Sequence, residues 1–198
     1  MVSPKQKKRR EVLVSVRESN LSPLVRLGWK ALQRLLVVYP GDVILDAHCM
    51  DGTLLKRLSR IYPEAALCGA CFTPPQVRQA RQLAPKADIM FSDESDLPWM
   101  SESIDSAFIA RGFHDMDNPL ATLYEMHRVL KPGGQIAVAG LWAPKCLCAF
   151  WNELIEHTPA ARIRTRTEMI ETLRIIGFEQ VYYTRAGMLG CVVTGLKK

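Results

Sequence analysis

Val43-Ile44-Leu45-Asp46-Ala47-His48-Cys49-Met50-Asp51-Gly52 is the stretch that decides the fold. Its first five residues form a short apolar run broken only by Asp46. Such a run suits a strand buried on both faces, as in a parallel sheet covered by helices. Tyr39-Pro40-Gly41 separates it from an upstream helical pattern. Downstream, residues 52–62 place Leu54, Leu55, Leu58 and Ile61 on one helical face. Strand, tight turn and amphipathic helix therefore follow one another within twenty residues.

The same alternation runs outward in both directions. Residues 21–38 read as an amphipathic helix, with Leu21, Leu24, Val25, Leu32, Leu35 and Leu36 at helical spacing. Residues 66–72 form a second strand. Thr73-Pro74-Pro75-Gln76 opens a helix, with Thr73 as N-cap, Pro74 at its first position and Gln76 closing a capping box. Residues 88–91 and 104–110 are the third and fourth strands. Asn118-Pro119 opens another helix, with Leu120, Leu123, His127 and Leu130 as its stripe. Lys131-Pro132-Gly133-Gly134 ends it, and residues 135–141 form a fifth strand. Thr165 and Glu168 form a further capping box ahead of Met169, Leu173 and Ile176, and Gly177 suits the helix end. Residues 178–185 and 189–196 close the chain as a strand pair. This order predicts an α/β fold: a Rossmann-like, mainly parallel seven-stranded sheet with helices on both faces and an antiparallel final strand. Ligands of such sheets sit beyond the carboxyl ends of the strands, at the point where the strand order reverses. That directs attention to the turns after Asp46, Cys71, Asp93 and Ala110.

Those turns resemble the class I S-adenosylmethionine-dependent methyltransferases of small-molecule type. The stretch from Val43 to Gly52 looks like the family's glycine-rich motif, in which an acid precedes G-x-G-x-G. Gly69-Ala70-Cys71-Phe72-Thr73-Pro74 is similar to the second motif, and Phe91-Ser92-Asp93-Glu94 to the segment that holds the adenine. Ser103-Ile104-Asp105-Ser106-Ala107-Phe108 resembles the fourth-strand signature. Glu125-Met126-His127-Arg128-Val129-Leu130-Lys131-Pro132-Gly133-Gly134 is the closest match, to E-x-x-R-V-L-K-P-G-G, and Gly177-Phe178 matches the entry to the last hairpin. The resemblance covers roughly residues 38–198.

It implies S-adenosylmethionine as cofactor and a cradle of Asp46, Ala47, His48, Met50, Gly52, Cys71, Phe72, Asp93, Glu94 and Arg111. Asp46 would hold the amino-acid end and Cys71 would stand at the ribose position. Phe72 would pack on the adenine, with Asp93 and the Glu94 backbone at its edge. The chain departs from the pattern at three of these positions. His48 and Met50 replace two glycines, bringing bulk where backbone normally approaches ligand. Cys71 replaces an acid, and a thiol is a weak hydrogen-bond partner. Each residue also has a purely structural role open to it: Asp46 ending a strand, Asp93 capping a turn, Phe72 filling the core. His114 is the candidate general base, if the acceptor must lose a proton, with His48 second. A non-catalytic relative with the same fold is the alternative to an enzyme.

Bulk properties set the frame around this reading. The chain has 198 residues and a net charge of +6, of which Lys5, Lys7, Lys8, Arg9 and Arg10 supply five. Residues 1–20 therefore read as a basic, flexible tail and residues 21–198 as one domain. Such a tail can touch RNA or anionic surfaces, and Arg162, Arg164 and Arg166 extend that option. A small-molecule acceptor lying against residues 21–38 and the stretch 142–159, with its apolar Trp142, Phe150, Trp151 and Leu154, is the preferred reading. No apolar run approaches the ~18 residues of a membrane span, and the first residues lack a secretory apolar region. We therefore expect a cytoplasmic protein without a membrane partner. The cysteines at 49, 68, 71, 146, 148 and 191 fit neither a disulfide framework nor a paired zinc motif. Reduced, buried thiols are expected, without a metal. A thiol or metal site built from His48, Cys49 and Cys71, joined by Cys146 and Cys148, is the rival reading.

Overall fold

A computed structural model describes residues 23–111, 113, 116–141, 165–187 and 190–198. Its elements are α1 (Pro23–Leu35), β1 (Val43–Asp46), α2 (Thr53–Ile61), β2 (Ala66–Cys71), α3 (Pro74–Leu83) and β3 (Asp88–Phe91). They continue with β4 (Ile104–Ile109), α4 (Pro119–Val129), β5 (Leu130–Leu141), α5 (Arg166–Ile176), β6 (Phe178–Ala186) and β7 (Gly190–Lys197). The strands form one seven-stranded sheet in the order β3-β2-β1-β4-β5-β7-β6. The pairs β1/β2, β1/β4, β2/β3 and β4/β5 are parallel. β7 runs antiparallel to both β5 and β6. The expected Rossmann-like sheet is thus present, with its antiparallel strand inserted between β5 and β6.

Period-two alternation along the strands feeds two apolar layers. Ile44, Phe108 and Ala137 join Trp29, Leu32, Leu54, Leu55 and Leu58 on the face covered by α1, α2 and α3. Leu45, Ala107, Ile109 and Val138 join Leu123, Met126, Met169 and Leu173 on the face covered by α4 and α5. Each fully buried Leu or Phe side chain contributes roughly 1.5–3 kcal/mol of transfer free energy. These layers hold the rims of β1, β2 and β4 in fixed relation.

Local chemistry explains where the elements differ from expectation. α1 stops at Leu35 rather than at residue 38 because Gln135 terminates it. The Gln135 side chain donates to Leu35 O at 2.9 Å and accepts from Val37 N at 3.0 Å. In α3, Thr73 Oγ1 accepts from Gln76 N at 3.4 Å, as expected. The returning Gln76 side chain, however, accepts from Phe72 N rather than from the cap residue. The Thr165–Glu168 capping box forms with both arms, at 3.3 and 2.7 Å. The buried face of α4 consists of Pro119, Thr122, Leu123, Met126 and Val129. Leu120 is exposed, because the helix is phased on the 119/122/123/126 spacing. β5 begins at Leu130, earlier than residue 135, since Leu130 pairs with Ile104 before a register shift.

The chain builds β1, β2 and β3 outward and then returns to place β4 beside β1. The switch point therefore lies between β1 and β4, above Asp46 and Phe108, which are register partners.

Candidate functional site

The loop 47–52 leaves β1 across this switch point and is tied to both neighbours. Ala47 N donates to Phe108 O at 2.9 Å, and Cys49 N donates to Ala70 O at 2.9 Å. One short loop is thus pinned to β4 on one side and β2 on the other. It ends at Gly52, whose φ of +78° is left-handed. A Cβ there would stand 2.9 Å from Ala80 Cα in α3. The surviving glycine of the motif is therefore required by helix packing as well as by backbone conformation. Met50 also has a left-handed φ, of +49°, without that excuse.

Asp46 lies at the centre. It is 1% exposed, and its Oδ1 accepts from His48 N at 3.2 Å. Its Oδ2 is buried without a partner. Burial pushes its carboxyl up to about 7, against the opposing pull of the Arg111 guanidinium. Arg111, just past β4, donates from one terminal nitrogen to Asp51 Oδ1 at 2.5 Å. Its Nε is a second buried polar atom without a partner. Asp51 also accepts from Thr53 N and from Thr53 Oγ1, at 3.2 and 2.6 Å, at the entry to α2. Burial raises the Asp51 carboxyl, but the Thr53 hydroxyl and Arg111 outweigh it and hold the group below its ordinary value.

His48 is buried and spends its ring on the protein. Nδ1 lies 3.1 Å from Arg111 O, so this nitrogen carries the proton and donates to the carbonyl. The ring stacks on Phe72, with centroids 5.0 Å apart and planes 19° apart. Cys71, the last residue of β2, directs its sulfur toward the loop, where it is joined to Cys49 as a disulfide with Cα atoms 5.7 Å apart. The expectation of reduced thiols does not hold at this pair. The Cys49 N–Ala70 O hydrogen bond draws the loop against the end of β2, which brings the two sulfurs together. Cys68 and Cys191 are buried and take no part in this disulfide. Among the described residues no cluster has the composition of a metal site.

The structure therefore brings Asp46, Ala47, His48, Met50, Gly52, Cys71, Phe72 and Arg111 around one rim. Asp93 and Glu94, beyond β3, are engaged in their own loop. Asp93 is an exposed turn cap whose Oδ1 accepts from Ser95 N and Oγ at 2.8 and 2.6 Å. The Glu94 carboxylate accepts from Asp117 N at 3.1 Å and from Asn118 N, at the start of α4. His114, the basic tail, Arg162 and Arg164, the apolar stretch from Trp142 to Leu154, and Cys146 and Cys148 all lie outside the described residues. Asp51 was missed in the sequence. Its signal was an acid directly before a helix-opening glycine. Glu125 and Arg128 were read as a fold signature only. They form a bidentate pair, and Arg128 also donates to Leu97 O and Trp99 O at 2.8 and 3.0 Å. Glu125 accepts from Leu97 N at 2.9 Å. The motif thus fastens the loop after β3 to α4. No described helix is long and apolar enough to cross a membrane.

Comparison with known proteins follows this geometry. Residues 45–138 match a family model described as a methyltransferase domain. The chain is 28% identical over 152 residues to a malonyl-[acyl-carrier protein] O-methyltransferase of Herminiimonas arsenicoxydans, covering 76% of this chain and 57% of that protein. It is 29% identical over 127 residues to a demethylmenaquinone methyltransferase of Listeria welshimeri, covering 60% and 53%. The chain thus spans little more than half the length of these curated relatives. A SAM-dependent methyltransferase from Aquifex aeolicus superposes with a TM-score of 0.70 at 20% identity, covering 86% of this chain and 89% of that one. The strand order, the switch-point loop and the domain match point the same way: residues 45–138 match a methyltransferase domain, and the sheet around them has the fold of S-adenosylmethionine-dependent methyltransferases.

Proposed function

We propose that this domain is an S-adenosylmethionine-dependent methyltransferase with a small-molecule acceptor. The observation that carries the reading is the pair of buried, unpartnered atoms at the switch point, Asp46 Oδ2 and Arg111 Nε. Buried polar groups are almost always satisfied, so each exception calls for an explanation. A carboxylate oxygen wants a donor and a guanidinium N–H wants an acceptor. An α-amino-acid end, with its ammonium and carboxylate, supplies both. The residues present thus fit the cofactor at that end. They match the nucleoside end less well, since the Cys71 sulfur is turned to Cys49 and presents no carboxylate to a ribose.

When bound, the cofactor supplies a methyl group already activated on a sulfonium. The chain's own work is to bind, to orient and to exclude water. Asp46 anchors a cation, Arg111 anchors an anion, and Asp51 holds Arg111 in place. His114 is our proposed proton acceptor for an acceptor that must ionise. The relatives named for malonyl-[acyl-carrier protein] and demethylmenaquinone support an acceptor other than nucleic acid.

A second reading, a domain that no longer binds the cofactor, is favoured by one observation. The His48 ring lies stacked on Phe72, the residue assigned to the adenine. Thermal shift with S-adenosylhomocysteine, the demethylated product, separates the two, because a ligand that binds only the native state must stabilise it. We expect a saturable rise in Tm at pH 8 under reducing conditions, and a tenfold to hundredfold weaker affinity in Asp46→Asn, which loses a charged acceptor worth about 1.5–3 kcal/mol. No shift at millimolar ligand in the wild-type chain sinks the enzymatic reading.

A further inference from the structure

We propose that Cys49 and Cys71 are a reversible thiol–disulfide pair, and that its bond locks the loop 47–52 over the cradle. This rests on the cofactor reading only for its consequence, not for its chemistry. The two cysteines come from different segments and meet beneath the rim, both fully buried, so a small disulfide reaches them when the loop opens locally. Cys49 lies in the loop after β1 and Cys71 ends β2, with Cys49 N bonded to Ala70 O at 2.9 Å. Their Cα separation of 5.7 Å lies in the range a disulfide spans without backbone movement. Gly69, alongside in β2, leaves room for the pair, since a Cβ there would stand 3.0 Å from the Cys49 sulfur.

Both redox states are provided for. In the oxidised state the sulfurs satisfy each other. Cys71 Sγ lies 3.4 Å from Met50 O, a carbonyl to which its thiol would donate once the bond is reduced. The bond staples the loop to the strand end at the position that would face the ribose. Cleaving it leaves the Cys49 N–Ala70 O hydrogen bond and a weak thiol contact to Met50 O as the loop's ties to β2.

The co-reactant is a small disulfide, RSSR, such as oxidised glutathione. The thiolate of one cysteine attacks RSSR, forming a mixed disulfide and releasing RS⁻. The thiolate of the other then displaces the second RS⁻ and closes the Cys49–Cys71 bond. The two protons of the cysteines pass to the two leaving thiolates. Two electrons pass from the protein pair to RSSR, which becomes two RSH. Reduction by excess thiol runs the same steps backward.

The test uses the full chain equilibrated in oxidised or reduced glutathione, then denatured and alkylated with N-ethylmaleimide. Peptide mass mapping should find residues 49 and 71 crosslinked in the first sample and both alkylated in the second, with native thiol treatment converting one to the other. Hydrogen exchange at amides 48–52 should be at least tenfold faster in the reduced form, and Cys49→Ser and Cys71→Ser should hold the fast rate in either buffer. Full alkylation after oxidised glutathione, a bond that native thiol never opens, or equal exchange in both states would each overturn the proposal. S-adenosylhomocysteine titrated into both forms should bind the reduced chain at least tenfold more tightly. Equal affinity in the two forms overturns the locking role. Binding to neither form, with the exchange difference present, overturns the cofactor reading and leaves the thiol pair standing.

Discussion

Asp46 carries the strongest conflict in the molecule between a residue and its surroundings. An ionised carboxylate is costly to bury, and here one oxygen has no partner. Its folded value of about 7 lies above the ordinary 3.8. Below about pH 4 both folded and unfolded chains hold the proton, and the group costs nothing. As pH rises toward 7 the unfolded chain ionises while the folded chain keeps its proton, so stability falls. About three pKa units correspond to a loss on the order of 4 kcal/mol, fully expressed above pH 7. Asp46→Asn cannot ionise in either state. Its stability in urea, relative to wild type, should therefore improve steadily from pH 4 to pH 8. A difference that is flat across that range would mean that Asp46 is ionised in the folded chain throughout. The same titration bears on binding, because only the ionised form attracts a cation; affinity for the ligand's ammonium should fall from pH 8 to pH 6. Little of this was legible in the sequence. The position of Asp46 at a strand end could be read from the apolar run before it. Its burial arises in the turn it shares with the His48 backbone and Arg111, which no spacing rule reports.

At the scale of elements, helix boundaries were the most readable because their signals are local. Thr165, Glu168 and Gly177 act within one turn, and all three behave as their residue types require. Contacts between elements were the least readable. The Gln135 side chain that ends α1 comes from a residue 100 positions away from Leu35. The Glu125–Arg128 pair looked like family wording around a helix end, yet it clamps the loop at Leu97 and Trp99 to α4. Arg128→Ala should cost roughly 2–3 kcal/mol, since it removes charge-assisted hydrogen bonds and leaves carbonyls to find water. Denaturant unfolding checks this. A loss below about 0.5 kcal/mol would reduce the motif to a solvated surface pair of the usual small value.

At the scale of the whole molecule, alternation of strands and helices was enough to specify the sheet, because each level of the sequence agrees on it. The rim follows from that topology, and it collects most of the residues singled out in advance. What topology does not decide is the state of the rim. His48 on Phe72, Met50 in a left-handed conformation and Cys49 bonded to Cys71 are outcomes of close packing among side chains from three segments. The central claim is that the switch point between β1 and β4 still receives an amino-acid end despite them. A crystal structure of the reduced chain with millimolar S-adenosylhomocysteine tests it most directly. The ligand's ammonium should lie within hydrogen-bond distance of Asp46 Oδ2 and its carboxylate at Arg111 Nε, with the imidazole displaced from Phe72. An unliganded rim with the imidazole still stacked on that ring would contradict it.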